Sequence, residues 1–162
     1  WMITIDAVFS FSMLVAVAAF WSWWGRNHWE PDELGKMIIG SFFTIGGGLC
    51  LVAAAATQGD GKIGLFWPVM FHIINSIGFA HMLPVSLALF AKVAPKAVNA
   101  TVIGLYYLAF FSGNAIVGWM GGYYDRMDTP TFWMLHAGVA AFSGLCFFVF
   151  KLVMGKHLHA AA

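Results

Sequence analysis

Five uninterrupted apolar runs, each long enough to cross a bilayer, constrain this chain more than any other feature: Met2–Trp24, Met37–Ala56, Leu65–Val93, Val98–Gly122 and Thr131–Met154. A hydrocarbon core takes about 20 residues of helix, and only helices or closed barrels satisfy their own backbone polar groups there. Runs of this length predict an all-α protein with five membrane-spanning helices. Only 9% of residues are charged, against roughly 25% in soluble domains. The abundance of Trp and Phe suits helices that meet acyl chains and headgroups.

The joints between the runs are short: "GRNHWEPDELGK", "TQGDGKIG", "APKA" and "YYDRMDTP". Pro31, Pro95 and Pro130, with Gly25, Gly59 and Gly61, supply the expected stops. Such joints connect antiparallel neighbours and leave no room for a soluble domain, so residues 1–162 read as one partial helix bundle. Trp1 stands where an initiator methionine is usual, and no charged n-region or small-residue cleavage site follows. The expectation is a processed chain or the tail of a longer protein.

Charge gives an orientation. Arg26, Lys36, Lys92, Lys96, Lys151 and Lys156 fall on one side, and only Lys62 and Arg126 on the other. That bias predicts a cytoplasmic C-terminus in the cell (inner) membrane, with Trp1 outside. The net charge of +1 offers no basic face for nucleic acid. Cys50 and Cys146 lie inside apolar runs and read as packing residues, with no disulfide framework or metal spacing. Gly46, Gly47 and Gly48, and the Gly118/Gly122 GxxxG pair, predict close helix contacts.

The third run is the least typical. "FHIINSIGFAHMLP" carries His72, Asn75, Ser76 and His81 and ends on Pro84. At about 100° per residue from His72, Asn75 falls near −60°, Ser76 near +40°, Phe79 near −20°, Leu83 near +20° and Ser86 near −40°, with His81 opposite. Lipid cannot satisfy such a stripe, so it points at neighbouring helices or at water. Pro84 takes one N–H out of the ladder and predicts a kink near residues 80–84. Asp6 on the first run either reaches the outer headgroups or belongs to a pocket, with Ser10 on its face. Glu30, Asp32 and Glu33 read as a solvated turn. No nucleophile elbow, zinc-protease motif, Walker loop or intramembrane carboxylate pair occurs, so an enzyme is not expected.

The stretch Met82–Gly118, "MLPVSLALFAKVAPKAVNATVIGLYYLAFFSGNAIVG", resembles the proton-dependent oligopeptide transporters (POT family) of the major facilitator superfamily. The matching elements are Pro84, Lys92-Val93-Ala94-Pro95, Gly104-Leu105-Tyr106-Tyr107-Leu108 and Gly113-Asn114, at the family's spacing in its tenth and eleventh helices. The resemblance implies that the five runs are helices eight to twelve of a twelve-helix transporter. It further implies proton-coupled symport of di- and tripeptides by alternating access, with protons as the coupling ion and no other cofactor. The family's tenth-helix Glu, which holds the peptide amine, falls on Phe79, and its Ser before the proline falls on Leu83. Its eleventh-helix Trp falls on Tyr106 and its eighth-helix Asn on Asp6. Phe79 departs from the pattern, because it can meet an ammonium only through its ring face. The polar face of the third run together with the resemblance gives an expected substrate site of Asp6, His72, Asn75, Ser76, Phe79, Leu83 and Tyr106. The implied partners are a small peptide or other small solute, membrane lipid and the remaining N-terminal helices, with the proton-coupling residues upstream of Trp1. Three alternatives stay open: the same fold carrying a different solute, a haem-binding electron-transfer subunit using His72 and His136, and a structural membrane anchor.

Overall fold

The computed structural model describes residues 2–58 and 62–161, with side chains from 3 to 155 apart from the same break. Trp1, Gly59, Asp60 and Gly61 lie outside the described residues, and so do the side chains of Lys156, His157 and His159; the expectations placed on them stand there. The described residues form α1 (Met2–Trp24), α2 (Glu33–Thr57), α3 (Phe66–Val93), α4 (Asn99–Gly121) and α5 (Thr129–Ala161). All five are long and apolar enough to span a membrane.

Hydropathy placed the helices, and polar caps set their ends. Asp32 adopts an extended conformation, and its Oδ1 accepts a hydrogen bond from Gly35 N at 3.0 Å. This cap starts α2 at Glu33, one turn before Met37, where the unbroken apolar run begins. Asp128 does the same for α5 by accepting from Thr131 N at 3.0 Å. α3 runs helically through Pro84 and ends where Ala94 turns extended before Pro95. Short 3₁₀ turns, Lys96–Val98 and Tyr124–Arg126, fill the next two joints.

α2 is the hub: α3 and α5 pack on it from either side, α1 packs on α3, and α4 touches α3 lightly. Small residues bring the hub this close to its neighbours. A Cβ on Gly40 would lie 2.9 Å from the His81 Cβ and 3.0 Å from the Gly78 carbonyl oxygen. A Cβ on Gly78 would lie 2.6 Å from Thr44 Oγ1 and 2.9 Å from the Gly40 carbonyl oxygen. On the α5 side, a Cβ on Gly48 would lie 3.0 Å from the Ala137 Cβ, and one on Gly144 would lie 2.9 Å from the Ser41 Cβ. Lipid supplies no hydrophobic force between helices, so such close approach carries the dispersion contacts.

The expected glycine contacts are therefore partly reassigned. Gly48 makes its contact, and Gly46 and Gly47 meet α3 at ordinary distances of 3.6 and 3.5 Å. Gly118 has no neighbour within 4 Å, and a Cβ on Gly122 would meet only the Trp119 carbonyl of its own helix end. The GxxxG pair makes no close helix contact among the described residues, because α4 packs chiefly on α3 and does so by another face.

The acidic joint also departs from expectation. Glu30 pairs with Lys36, Glu33 with Lys92 at 3.3 Å, and Asp32 with Lys151 at 2.5 Å. The solvated turn is instead a three-carboxylate hub. It ties the start of α2 to the C-terminal end of α3 and to Lys151 in the second half of α5, and the Asp32 side chain is only 15% exposed. Sequence spacing pairs residues within one helix, whereas two of these partners come from distant helices.

Candidate functional site

α1 and α3 run parallel, and polar groups meet along their seam. His72 Nδ1 lies 3.0 Å from Asp6 Oδ1, and Ser76 Oγ lies 3.4 Å from Ser10 Oγ. Both pairs are separated by 66 residues, a single register held over one helical turn. Farther along, Trp21 Nε1 donates to His81 Nε2 at 3.1 Å. Ser76 is fully buried, His72 nearly so, and Asp6 is half-exposed. An Asp beside an imidazole in a membrane-spanning seam keeps both groups satisfied where lipid offers nothing.

A cavity of about 510 Å³ opens between α3 and α4. Phe79, Leu83, Ser86 and Tyr106 line it, with Met37 from α2 and Phe147 from α5. Ser86 donates to the Met82 carbonyl at 2.6 Å, which leaves its oxygen to accept from the Tyr106 hydroxyl at 2.9 Å. That bond ties α3 to α4 beside the cavity, and Asn99 Nδ2, at the start of α4, donates to the Ala91 carbonyl at 2.8 Å. None of the cavity's lining residues carries a carboxylate or an amine, so a charged group entering it meets aromatic faces, hydroxyls and apolar side chains.

A second cavity, about 570 Å³, lies between α1 and α3 at the start of α2. Its walls include Trp21, Glu30, Glu33, Lys36, His81 and Pro84. The Lys36 ammonium sits 5.1 Å from the centre of the Trp21 ring, a cation–π distance.

The polar face read from the sequence is thus divided among three neighbours. Asp6, His72 and Ser76 meet in the α1–α3 seam; Asn75 faces Gly47 of α2, whose Cβ would lie 3.5 Å from its own. Phe79, Leu83 and Tyr106 come together around the α3–α4 cavity. A stripe about 100° wide on a helical wheel spans more than one groove when three helices surround it. Ser86 shared that face but was not singled out; its distance of three residues from Leu83 was the available signal. His81 was set opposite, and it is among the most fully bonded polar residues described.

His136 donates from Nδ1 to the Phe132 carbonyl at 3.0 Å and packs on the Phe132 and Trp133 rings, while His72 is engaged by Asp6. The two histidines have separate partners. Among the described residues, no three His, Cys, Asp or Glu side chains gather as a metal site would require.

No protein-family model and no solved structure matches the chain. It is similar to the peptide transporter YePEPT of Yersinia enterocolitica, with 27% identity over 135 residues, covering 79% of this chain and 26% of that protein. It is also similar to dipeptide and tripeptide permease A of Chromobacterium violaceum, with 25% identity over 97 residues, 59% of this chain and 20% of that protein. The chain spans about a quarter of the length of the first of these curated relatives and about a fifth of the second. Likeness to peptide transporters therefore extends well beyond Met82–Gly118, and both relatives are named for transport, not for catalysis. The chain is an all-α integral membrane protein that resembles part of such a transporter.

Proposed function

We propose that this chain forms helices eight to twelve of a major-facilitator-type secondary transporter of the POT family, carrying di- and tripeptides in symport with protons. The likeness to YePEPT over most of the chain supports the reading above any other observation. In this reading the α3–α4 cavity holds the apolar part of a peptide against Phe79, Leu83 and Tyr106, while the Asp6–His72 pair offers the carboxylate and imidazole that the cavity lacks. Alternating access moves this bundle against the other half of the protein around a site near the bilayer midplane. The lysine-rich side faces the cytoplasm across the inner membrane. The exposed apolar faces of α4 then pack on helices of the remainder of the transporter.

The test is uptake of labelled di- and tripeptides by the full-length protein in vesicles with an imposed pH gradient. Accumulation that unlabelled peptides compete away is expected; no accumulation and no competition removes the assignment. Phe79 favours one second reading, in which the same fold carries a solute without an ammonium group. Under it, wild type takes up the uncharged analogue in preference to the peptide, and Phe79→Glu reverses the order.

A further inference from the structure

His81 is the buried titratable side chain that the proposed transport site does not use, and its surroundings specify its protonation state. Its Nδ1 lies 2.8 Å from the Ile77 carbonyl oxygen, an acceptor only, so Nδ1 carries the hydrogen. Its Nε2 receives the Trp21 indole N–H at 3.1 Å, so Nε2 is bare. Only the neutral ring meets both conditions. The residue is 4% exposed, with the Trp21 ring edge-on at 5.9 Å and the Phe43 ring stacked at 6.0 Å.

We propose that His81 is a proton-operated latch between α1 and α3: neutral, it holds Trp21 and keeps the two helices together; protonated, it releases Trp21 and lets α1 swing away. A proton on Nε2 places one N–H donor against another, so the Trp21–His81 hydrogen bond that joins the two helices at this level is lost. The charged groups around the adjoining cavity are Lys36 and Glu33 from α2 and Glu30 from the α1–α2 joint; α1 contributes the uncharged Trp21 and Ser22. Glu30 is taken by Lys36 and Glu33 by Lys92. No carboxylate is committed to the imidazolium while the latch is shut. Opening turns Nε2 toward a cavity of about 570 Å³ rimmed by those carboxylates, which gives the charged ring a place to go. The inference concerns helix separation and does not depend on what the protein carries.

Spin labels at Ser22→Cys and Ala88→Cys, in full-length protein free of native thiols, report the α1–α3 separation across this cavity. Between pH 8 and pH 5.5, the window in which an imidazole ordinarily changes charge, the wider population is expected to rise about fivefold, the weight of one hydrogen bond. His81→Gln keeps an acceptor for Trp21 and cannot titrate, so its distances should stay short at both pH values. Trp21→Phe should be wide at both. His28→Gln, at the exposed end of α1, should retain the wild-type response. An unchanged distribution in the labelled wild-type sequence, which needs no substitution at the latch, overturns the proposal. So does a full pH response in His81→Gln.

Discussion

α2 and α4 are nearly equal in length, 25 and 23 residues, and similarly apolar, yet they lead opposite lives. α2 buries nine residues, four of them glycine and one serine, against two neighbours. α4 buries Met120 alone and turns Leu105, Phe111 and Trp119 outward. Hydrophobicity places both in a membrane, and small residues decide which one becomes the centre. In lipid a large apolar side chain is equally content facing a tail or a helix, so only close approach distinguishes an interface.

The largest test of that contrast exchanges a hydrogen for a methyl group on each helix system. Gly78→Ala drives a Cβ into Thr44 and the Gly40 backbone, so a loss of about 1–3 kcal/mol is expected, partly offset by helix propensity. Gly118→Ala, with open space around it, should be neutral or gain up to about 1 kcal/mol. Thermal unfolding of the full-length protein in detergent compares them; equal destabilisation would erase the distinction between hub and outlier.

A smaller effect is expected where the hub is tied to its neighbours by charge. Asp32→Ala removes both the α2 cap and the Lys151 partner, and the cap alone is worth about 0.5–2 kcal/mol. Asp32→Asn keeps an acceptor for Gly35 and loses the charge, so it should fall between wild type and alanine. If asparagine is as damaging as alanine in the same melt, the ion pair outweighs the cap.

Tyr106→Phe removes the hydroxyl that bonds Ser86 and fastens α4 to α3. A loss of about 0.5–1.5 kcal/mol is expected, concentrated in α4. Hydrogen exchange should show faster amide exchange along α4 with α2 unaltered. Faster exchange in α2 instead would mean that α4 supports the hub.

The smallest effect lies at the exposed start of α5. The hydroxyl and N–H of Thr131 hold the Asp128 carboxyl below the usual carboxylate range. A depressed folded-state pKa means that its contribution is fully present above the ordinary carboxylate pKa and fades as pH falls through the lowered value. Asp128→Asn should flatten that part of the acid-stability curve, measured between pH 6 and pH 3, and leave the α2–α3 seam untouched.

The five spans were legible because bilayer thickness acts on each helix independently of its neighbours. Their ends were less so, since Asp32 and Asp128 set them through single hydrogen bonds that hydropathy averages away. Which glycines matter was legible only in part: Gly48 makes the contact expected of it, but Gly40, Gly78 and Gly144 gave no signal. GxxxG at Gly118 and Gly122 has the pattern, but Gly40, Gly78 and Gly144 have the facing helix. For the residues assigned to the site, a shared helix face was legible and its division among grooves was not. Phe79, Leu83 and Tyr106 do converge, whereas Asp6 and His72 find each other on a different groove, because a helical wheel records angles and not neighbours. The acidic joint was misread for the same reason, its partners Lys92 and Lys151 lying on other helices.

The three lysine–carboxylate pairs gather at one end of the bundle, where α1 passes into α2, α3 ends and α5 passes by at Lys151. A body strapped at one end answers a prising force by fanning at the other, so the fulcrum for any splaying of these helices sits at Asp32. Raising ionic strength shortens the reach of those partly exposed charges to a few ångströms, and it should soften the fulcrum before it disturbs the glycine seam.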